Sequence, residues 1–463
     1  MHWIDYVIFA SYFLAILYVG YYFLRQNQSR EDYYVGGRSI KASHVGLSIA
    51  ATDVGGGFSI GLGGLGFTMG LSGSWLLFTG LVGAWLAAVL TVPKLKRLDI
   101  ESGLLTFPDF LGLKYNKSVG ILAAAISGVG YIGFTAGQIL AGGKLAAASV
   151  FQSVTWTDPL FFSLIVMSLV VIIYTSIGGI KAVIYTDTIQ WIVLLSGLLF
   201  LGIPFAYFKL GGWDTIRASL PPSHFSLSNL SWVTFMNWAF AIIPIWFIAM
   251  TLYQRVYSTK NVAEAKKAFL IAGVFEYPLM AFSGVILGML ARVAYPTSEA
   301  EAALPQMLHH VLPVGIAGFV LAAYFSAVMS TADSCLIAAS GNIENDLLKN
   351  LVNKKEHVVY RSIVVTVILG IISFLLASWF TSVLDIVLQS YAFMVSGLLI
   401  PTLMGYFSKK PSTAGAFVSM LGGGGLTLVL IFLKTPLPYG LDPTIYGLLA
   451  SAVLYYIFSK IVS

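Results

Sequence analysis

Ala50-Ala51-Thr52-Asp53-Val54-Gly55-Gly56-Gly57 lies between Val45-Gly46-Leu47 and Phe58-Ser59-Ile60, and it puts a carboxylate and three successive glycines in the middle of one apolar stretch, residues 43–70. About 20 apolar residues cross the hydrocarbon core of a bilayer, so the length predicts a membrane span. Lipid neither solvates an ion nor hydrogen-bonds a loosened backbone. A span of this kind persists only where it lines a protein-enclosed cavity, which points to a chain that moves something across a membrane.

Working outward, 58% of the residues are hydrophobic and only 10% are charged, with a mean hydropathy of +0.85. This is the composition of an all-α integral membrane protein with no room for a sizeable soluble domain. Hydropathy and breaks predict about thirteen spans, near residues 2–24, 43–70, 72–97, 118–150, 158–177, 183–207, 232–252, 266–294, 312–346, 358–379, 382–407, 412–433 and 440–461. The net charge of +6 comes from Lys and Arg scattered through short loops rather than gathered on a face, so nucleic acid is not an expected partner.

Those charges set an expected orientation. With the N-terminus outside, cytoplasmic loops hold 21 of the 26 basic residues, among them Arg25, Arg30, Arg38, Lys96, Arg255, Lys349 and Lys410. The other side keeps Lys209, Arg217, Arg292 and Lys434, and Lys144 falls inside a span. The positive-inside rule then predicts a multi-pass cell-membrane protein with its C-terminus in the cytoplasm. The first span carries Asp5 and has neither a basic n-region nor a small-residue cleavage site, so it reads as a retained helix. One cysteine, Cys335, allows no intrachain disulfide and no cysteine cluster.

A second interruption falls five helices after the first, at Pro244 in Ala241-Ile242-Ile243-Pro244-Ile245-Trp246. Paired interruptions in two inverted halves point to a transporter site, because freed carbonyls and half-helix ends then face ions and solute at the midplane; taken alone, Pro244 reads more readily as a kink in a packing helix. The expected units are one transporter domain over 1–463, with repeats at 43–207 and 232–407, a peripheral first helix at 2–24 and two peripheral helices at 412–461. The ninth span adds Ser326-Ala327-Val328-Met329-Ser330-Thr331-Ala332-Asp333-Ser334. Hydroxyls and carbonyls suit a small hard cation, although Ser and Thr in membrane helices also bond their own i−4 carbonyl. Asp333 reads alternatively as a water-facing residue near a helix end.

Three segments carry a family resemblance: AATDVGGG at 50–57, GGIKAVIYTDTIQ at 178–190 and FSAVMSTADS at 325–334, supported by YYVGGRSI at 33–40 and YQRVYSTKNVAEAKKA at 253–268. In these the chain resembles the sodium:solute symporters, which include sodium/proline, sodium/galactose, sialic acid and pantothenate carriers and animal glucose and choline carriers. The resemblance implies the inverted five-plus-five core of the leucine-transporter class and sodium-coupled uptake, with sodium ion as the coupled partner. It places a sodium site on the carbonyls of Ala51, Val54 and Ala327 and the hydroxyls of Ser330 and Thr331. It also gives Asp53, Asp187 and Ser334 roles in the ion path or coupling. Asp187 by itself reads equally as a helix N-cap.

The solute is read less directly. Sugar carriers have a Lys in the eighth span, whereas Val274-Phe275-Glu276-Tyr277-Pro278 has none. Carboxylates at membrane depth invite a cationic group, so the expected cargo is a small organic solute with an ammonium, an amino acid such as proline being the first choice. A choline-like cation, a vitamin or organic acid, proton coupling, and a non-transporting sensor are the alternatives. Candidate solute residues are Asp53, Gly56, Gly57, Trp246, Thr251, Glu276 and Gln389, with Phe247 and Tyr253 as possible stacking partners and Glu276 as a possible structural bond. The oligomeric state stays open, and a monomer is compatible with all of this.

Other patterns point away from enzyme chemistry. Gly61-Leu62-Gly63-Gly64-Leu65-Gly66 fits G-x-G-x-x-G but lacks the strand that gives the dinucleotide motif its physics, and reads as close helix packing. His309 and His310 read as external-loop residues pointing apart, without a third metal ligand. No Ser/His/Asp arrangement can be built from six histidines placed mostly at membrane edges.

Overall fold

The computed structural model describes residues 2–24, 35–177, 180–347, 358–434 and 436–461. Helix follows helix: α1 (Trp3–Leu24), α2 (Ala42–Met69), α3 (Trp75–Leu90), α4 (Val92–Ser102), α5 (Phe107–Lys114), α6 (Lys117–Ala147), α7 (Pro159–Ile177), α8 (Ile180–Ser196), α9 (Ile203–Lys209), α10 (Gly212–Ser219), α11 (Trp232–Ile245), α12 (Met250–Ser258), α13 (Val262–Val274), α14 (Ala281–Ala294), α15 (Ala300–Val311), α16 (Ile316–Gly341), α17 (Val358–Ala377), α18 (Val383–Phe407), α19 (Thr413–Leu433) and α20 (Pro443–Ile461). Among the described residues, nine helical stretches are long and apolar enough to cross a membrane, or ten if the bent pair α11–α12 is one span. One of the nine, Ala42–Leu90, contains both α2 and α3, and two shorter apolar helices, Trp3–Ile16 and Ile363–Ala377, stand beside the count.

The centre of the molecule is α16, whose apolar window is entirely buried. It is rich in Ala, Ser and Gly, small residues that let neighbouring backbones come close where lipid gives no hydrophobic drive for helix association. Around it pack α2, α6, α8, α1 and α17. The glycines of α2 act in the same way: a Cβ on Gly63 would meet Leu304 of α15, and Gly66 lies against the Val285 backbone of α14.

Among the described residues, four spans are interrupted within their length. In α2 the backbone leaves the helix at Gly55, with φ +47° and ψ −164°, a conformation open to glycine. Helices α11 and α12 meet at 43° across residues 246–249, two residues beyond Pro244, so the span is broken and not merely kinked. Two further irregular turns, Gly197–Gly202 and Phe275–Met280, interrupt stretches that the hydropathy pattern reads as continuous. Pro204 and Pro278 account for both, since a proline removes an i→i−4 donor and crowds the preceding turn.

Several boundaries shift from the hydropathy reading. The span expected over 72–97 ends at Leu90, and the amphipathic α4 takes its last residues, with Pro93 near its start. The seventh helical stretch runs on to Ser258, which carries Arg255 from its expected cytoplasmic loop into the fully buried interior. His309 and His310 lie on α15 instead of in a loop, and their rings touch, 4.3 Å between centroids, instead of pointing apart. Lys144, at the end of α6, pairs with Glu301 at 2.7 Å and also with Glu299. Arg25, Arg30, Lys349, Lys354 and Lys355 of the charge reading, and Tyr33, Tyr34, Gly178 and Gly179 of the motif reading, lie outside the described residues.

Candidate functional site

Beside the break, the first half of α2 turns Ser48 and Thr52 toward Asp187 of α8, Arg255 of α12 and Ser330 and Ser334 of α16. Arg255 Nη2 lies 3.2 Å from Asp187 Oδ2, and both side chains are fully buried. The same guanidinium donates to Thr52 Oγ1 at 2.6 Å, Ser334 Oγ at 3.0 Å, Ser48 Oγ at 3.1 Å and the Thr251 carbonyl at 3.1 Å. Asp187 in turn accepts from Ser48 at 2.5 Å and from the Ser330 hydroxyl. A buried ion pair holds its geometry only when the remaining lone pairs and protons are also satisfied, and these hydroxyls do that. Asp187 stands inside α8 and not at its start, so the N-cap reading does not apply.

Across the break, Thr331 Oγ1 donates to the Ala51 carbonyl at 2.9 Å and the Ala327 carbonyl at 3.2 Å. A Cβ on Gly55 would overlap Thr331 Oγ1, and one on Gly56 would overlap Val328, so the loosened backbone of α2 rests directly on α16. Val54 immediately precedes the non-helical residue and is buried. Neutral oxygens from two helices therefore converge beside a carboxylate, a donor set suited to a small hard cation. Among the described residues no cluster of three His, Cys, Asp or Glu could hold a metal ion.

On the other face of α2, Asp53 Oδ1 accepts from Tyr391 of α18 at 3.2 Å. Tyr391 stacks on Phe134 of α6, with ring centroids 5.1 Å apart and planes 13° from parallel, and Phe58 stands 6.0 Å from Tyr391. Gly57 donates its backbone N–H to Gln138 Oε1 at 2.9 Å. Tyr131 accepts from the Thr251 backbone N–H at 3.1 Å and bonds the Thr251 hydroxyl at 3.1 Å, which ties the start of α12 to α6. A carboxylate walled by aromatic rings is a setting for a cationic or ammonium group.

A helical chain built around two broken spans with these contacts agrees with the comparison to known proteins, in which the model of the sodium:solute symporter family matches residues 33–423. The chain belongs to the sodium:solute symporter family. Sodium/proline symporters of Staphylococcus aureus, for example from strains bovine RF122 / ET3-1 and JH9, are each 26% identical to it, covering 99% of this chain and 93% of theirs. A solved Na+-coupled sialic acid symporter, substrate-bound and outward-open, has a TM-score of 0.77 at 22% identity over 99% of this chain and 96% of that one. A nucleobase-cation-symport-1 family transporter in a closed conformation has a TM-score of 0.63 at 13% identity over 94% and 95%. Both solved proteins share the fold. This symporter is thus a multi-pass membrane transporter and not an enzyme, with sodium as coupled ion, a small solute as cargo and the bilayer as its surroundings.

Other residues singled out in the symporter's sequence make contacts different from those expected. Trp246 is buried against Gly83 of α3 and Phe269 of α13, so its ring packs between helices. Tyr253 donates to the Phe247 carbonyl or shares a proton with Tyr406, 2.8 Å away. Gln389 lines a cavity of about 390 Å³ with Asn237, Lys434 and Asp442, while Tyr391, two residues on, faces Asp53. Glu276 is fully buried against Gly80 of α3, and neither carboxylate oxygen has a hydrogen-bond partner, so the expected structural bond is not made. Asp333 is buried and accepts from Thr175 at 2.6 Å instead of facing water. Gly56 and Gly57 serve as close-packing points against Val328 and Gln138.

Arg255, Ser48, Thr52, Gln138, Phe134 and Tyr391 are the residues that sequence reasoning passed over. Arg255 left two signals: it stands in the 253–268 match, and Thr251 and Arg255 are four apart, the spacing of neighbours on one helix face, in a segment whose hydropathy falls although the helix continues. Thr52 stands inside the 50–57 motif without a role assigned to it, and the other four are ordinary residues of apolar helices with no pattern of their own.

Proposed function

We propose that this protein performs sodium-coupled symport of a small organic solute bearing a cationic group, an amino acid such as proline, by alternating access. Sodium binds to the carbonyls of Ala51, Val54 and Ala327 and the hydroxyls of Ser330 and Thr331. The observation that carries the reading is the bond from Thr331 to Ala51 across the Gly55 break, which brings three of these five ligands into one contact. In this reading the hydroxyl lone pairs turn to the ion as it enters, so sodium joins the broken half of α2 to α16 more tightly than a hydroxyl proton does.

The solute sits beside Asp53, between the two broken spans, with Thr251 at the near end of α12. Asp187 and Ser334 lie on the path by which sodium leaves, and their contacts with Arg255 couple α8, α12 and α16. Each sodium charge carried inward through 100 mV supplies about 2.3 kcal/mol, and coupling follows if the ion binds the outward-facing and inward-facing states with different affinity. We read thirteen spans, N-terminus outside and C-terminus cytoplasmic. Residues 43–207 and 232–407 form the inverted repeats, and 2–24 and 412–461 stand at the periphery. The paired breaks at Gly55 and residues 246–249 support that division.

Thermal unfolding of the purified protein in sodium chloride and in potassium chloride tests the ion site. Sodium should stabilise selectively, and Thr331→Ala and Ser330→Ala should each raise the half-effective sodium concentration about tenfold, or ~1.4 kcal/mol. An unchanged sodium response in both variants would remove the assignment.

A further inference from the structure

Gln138 is fully buried in α6, and its amide is half used. Its Oε1 accepts from the backbone N–H of Gly57 at 2.9 Å, which fixes the orientation of the group and leaves Nε2 as the free end. Nε2 has no hydrogen-bond partner. A buried donor left unpaired costs the full desolvation of that group, and native proteins keep few such groups without a purpose.

The neighbourhood gives it one. On α6, Phe134 and Gln138 are one turn apart; on α18, Val387 and Tyr391 are one turn apart. Phe134 stacks on Tyr391, whose hydroxyl donates to Asp53, while Val387 and Gln138 both crowd Gly57. Helices α6 and α18 thus run in step along residues 53–57 of α2, with the free Gln138 amide at the Gly57 end and Tyr391 at the Asp53 end. Among the described residues no cation pairs with Asp53 in a salt bridge. One end of this short span offers a negative charge and an aromatic wall, and the other offers two N–H donors.

We propose that Gln138 Nε2 binds the carboxylate of a solute whose amine or quaternary ammonium lies on Asp53 against Tyr391 and Phe134, so that the cargo is a zwitterion. This rests on the symport reading above and narrows it: simple cations such as choline, simple acids such as acetate, and sugars satisfy only one end of the site. Because Gln138 also holds the Gly57 N–H just past the Gly55 break, a carboxylate drawn to its amide ties α6 to the second half of α2 at the position where sodium ties α16 to the first half.

The test is thermal unfolding of the purified full chain in sodium chloride with proline, the other common amino acids, glycine betaine, choline, acetate and glucose as probes. At least one zwitterion should stabilise in sodium at concentrations at least tenfold below those needed of choline or acetate. Gln138→Leu and Gln138→Met should raise that zwitterion's half-effective concentration about tenfold or more while the response to sodium alone is kept. Choline or acetate matching the best zwitterion, or sodium acting alone with no zwitterion adding to it, would overturn the inference while leaving the sodium reading intact. Loss of any sodium effect in the unmodified protein would instead overturn the symport reading. If both variants fail to fold, the comparison of zwitterion, cation and acid on the unmodified chain decides the question.

Discussion

Arg255 of α12 and Asp187 of α8 form an ion pair at 3.2 Å with neither side chain reaching solvent. It joins a helix from the second half of the chain to one from the first, through Ser48 and Thr52 of the broken α2 and Ser334 of α16. Removing the cation leaves a buried carboxylate unpaired, so Arg255→Leu should cost about 3–5 kcal/mol of stability. Asp187→Leu added to it should recover part of the loss. Thermal unfolding of the two single variants and the double variant measures the coupling, and strictly additive losses would count against the pair as a structural tie.

Gly55 has φ +47° and no room for a Cβ beside Thr331 Oγ1. Gly55→Ala should therefore strain the backbone by about 1–3 kcal/mol and push α2 from α16, abolishing stabilisation by sodium. Gly61→Ala is the control, since a Cβ there meets Leu384 at an ordinary 3.4 Å. Equal sodium responses in the two variants would show that the break is not needed for the ion.

Glu276 is buried with neither oxygen hydrogen-bonded. Replacing an unpartnered carboxyl by its neutral amide isostere should leave thermal stability unchanged or higher, whereas Glu276→Ala opens a cavity and should lower it. A Glu276→Gln variant much less stable than the parent would reveal a bound cation as its partner.

Glu301 of α15 accepts from the Val383 N–H at 3.0 Å and the Leu384 N–H at 3.2 Å, capping α18 while it pairs with Lys144. Glu301→Ala should cost about 1–2 kcal/mol through the lost cap and free α15 from α6. Hydrogen exchange at Val383 and Leu384 reads this directly, and unchanged protection there would show that the cap is not made.

His309 has its pKa lowered to about 4, chiefly by burial. The unfolded chain, with an ordinary histidine near 6.5, then binds more protons than the folded one over this range, so stability rises with pH and falls as the solution is acidified from about 6.5 toward 4. His309→Gln should flatten that part of the stability profile. A slope that persists would place the titration elsewhere.

The class and much of the architecture were open to reading in one dimension, because a bilayer imposes length and polarity on every span. Gly55 announced the first break because its glycine run stands beside a carboxylate, whereas the four glycines Gly422–Gly425 leave α19 unbroken, and Pro244 announced the second. Pro204 and Pro278 carry the same signal and were passed over, because continuous hydropathy hid the lost hydrogen bonds. The resemblance at 50–57 and 325–334 paired Ala51 with Thr331, residues 280 positions apart that the fold brings to 2.9 Å.

Sequence by itself determined that this chain lives in a membrane, that it winds into helices, and that carboxylates and hydroxyls lie at depth where only function keeps them, since the hydrophobic effect and the cost of an unsatisfied backbone act residue by residue along the chain. Tertiary structure alone decided the company those groups keep: Arg255 moved from an expected loop to the side of Asp187, Gln138 turned to Gly57, Trp246 went to packing, and Gln389 went to another cavity. Hydrogen bonds and ion pairs act over about 3 Å, and which groups come that close depends on helix rotation and crossing, set by how small residues on many helices fit together at once.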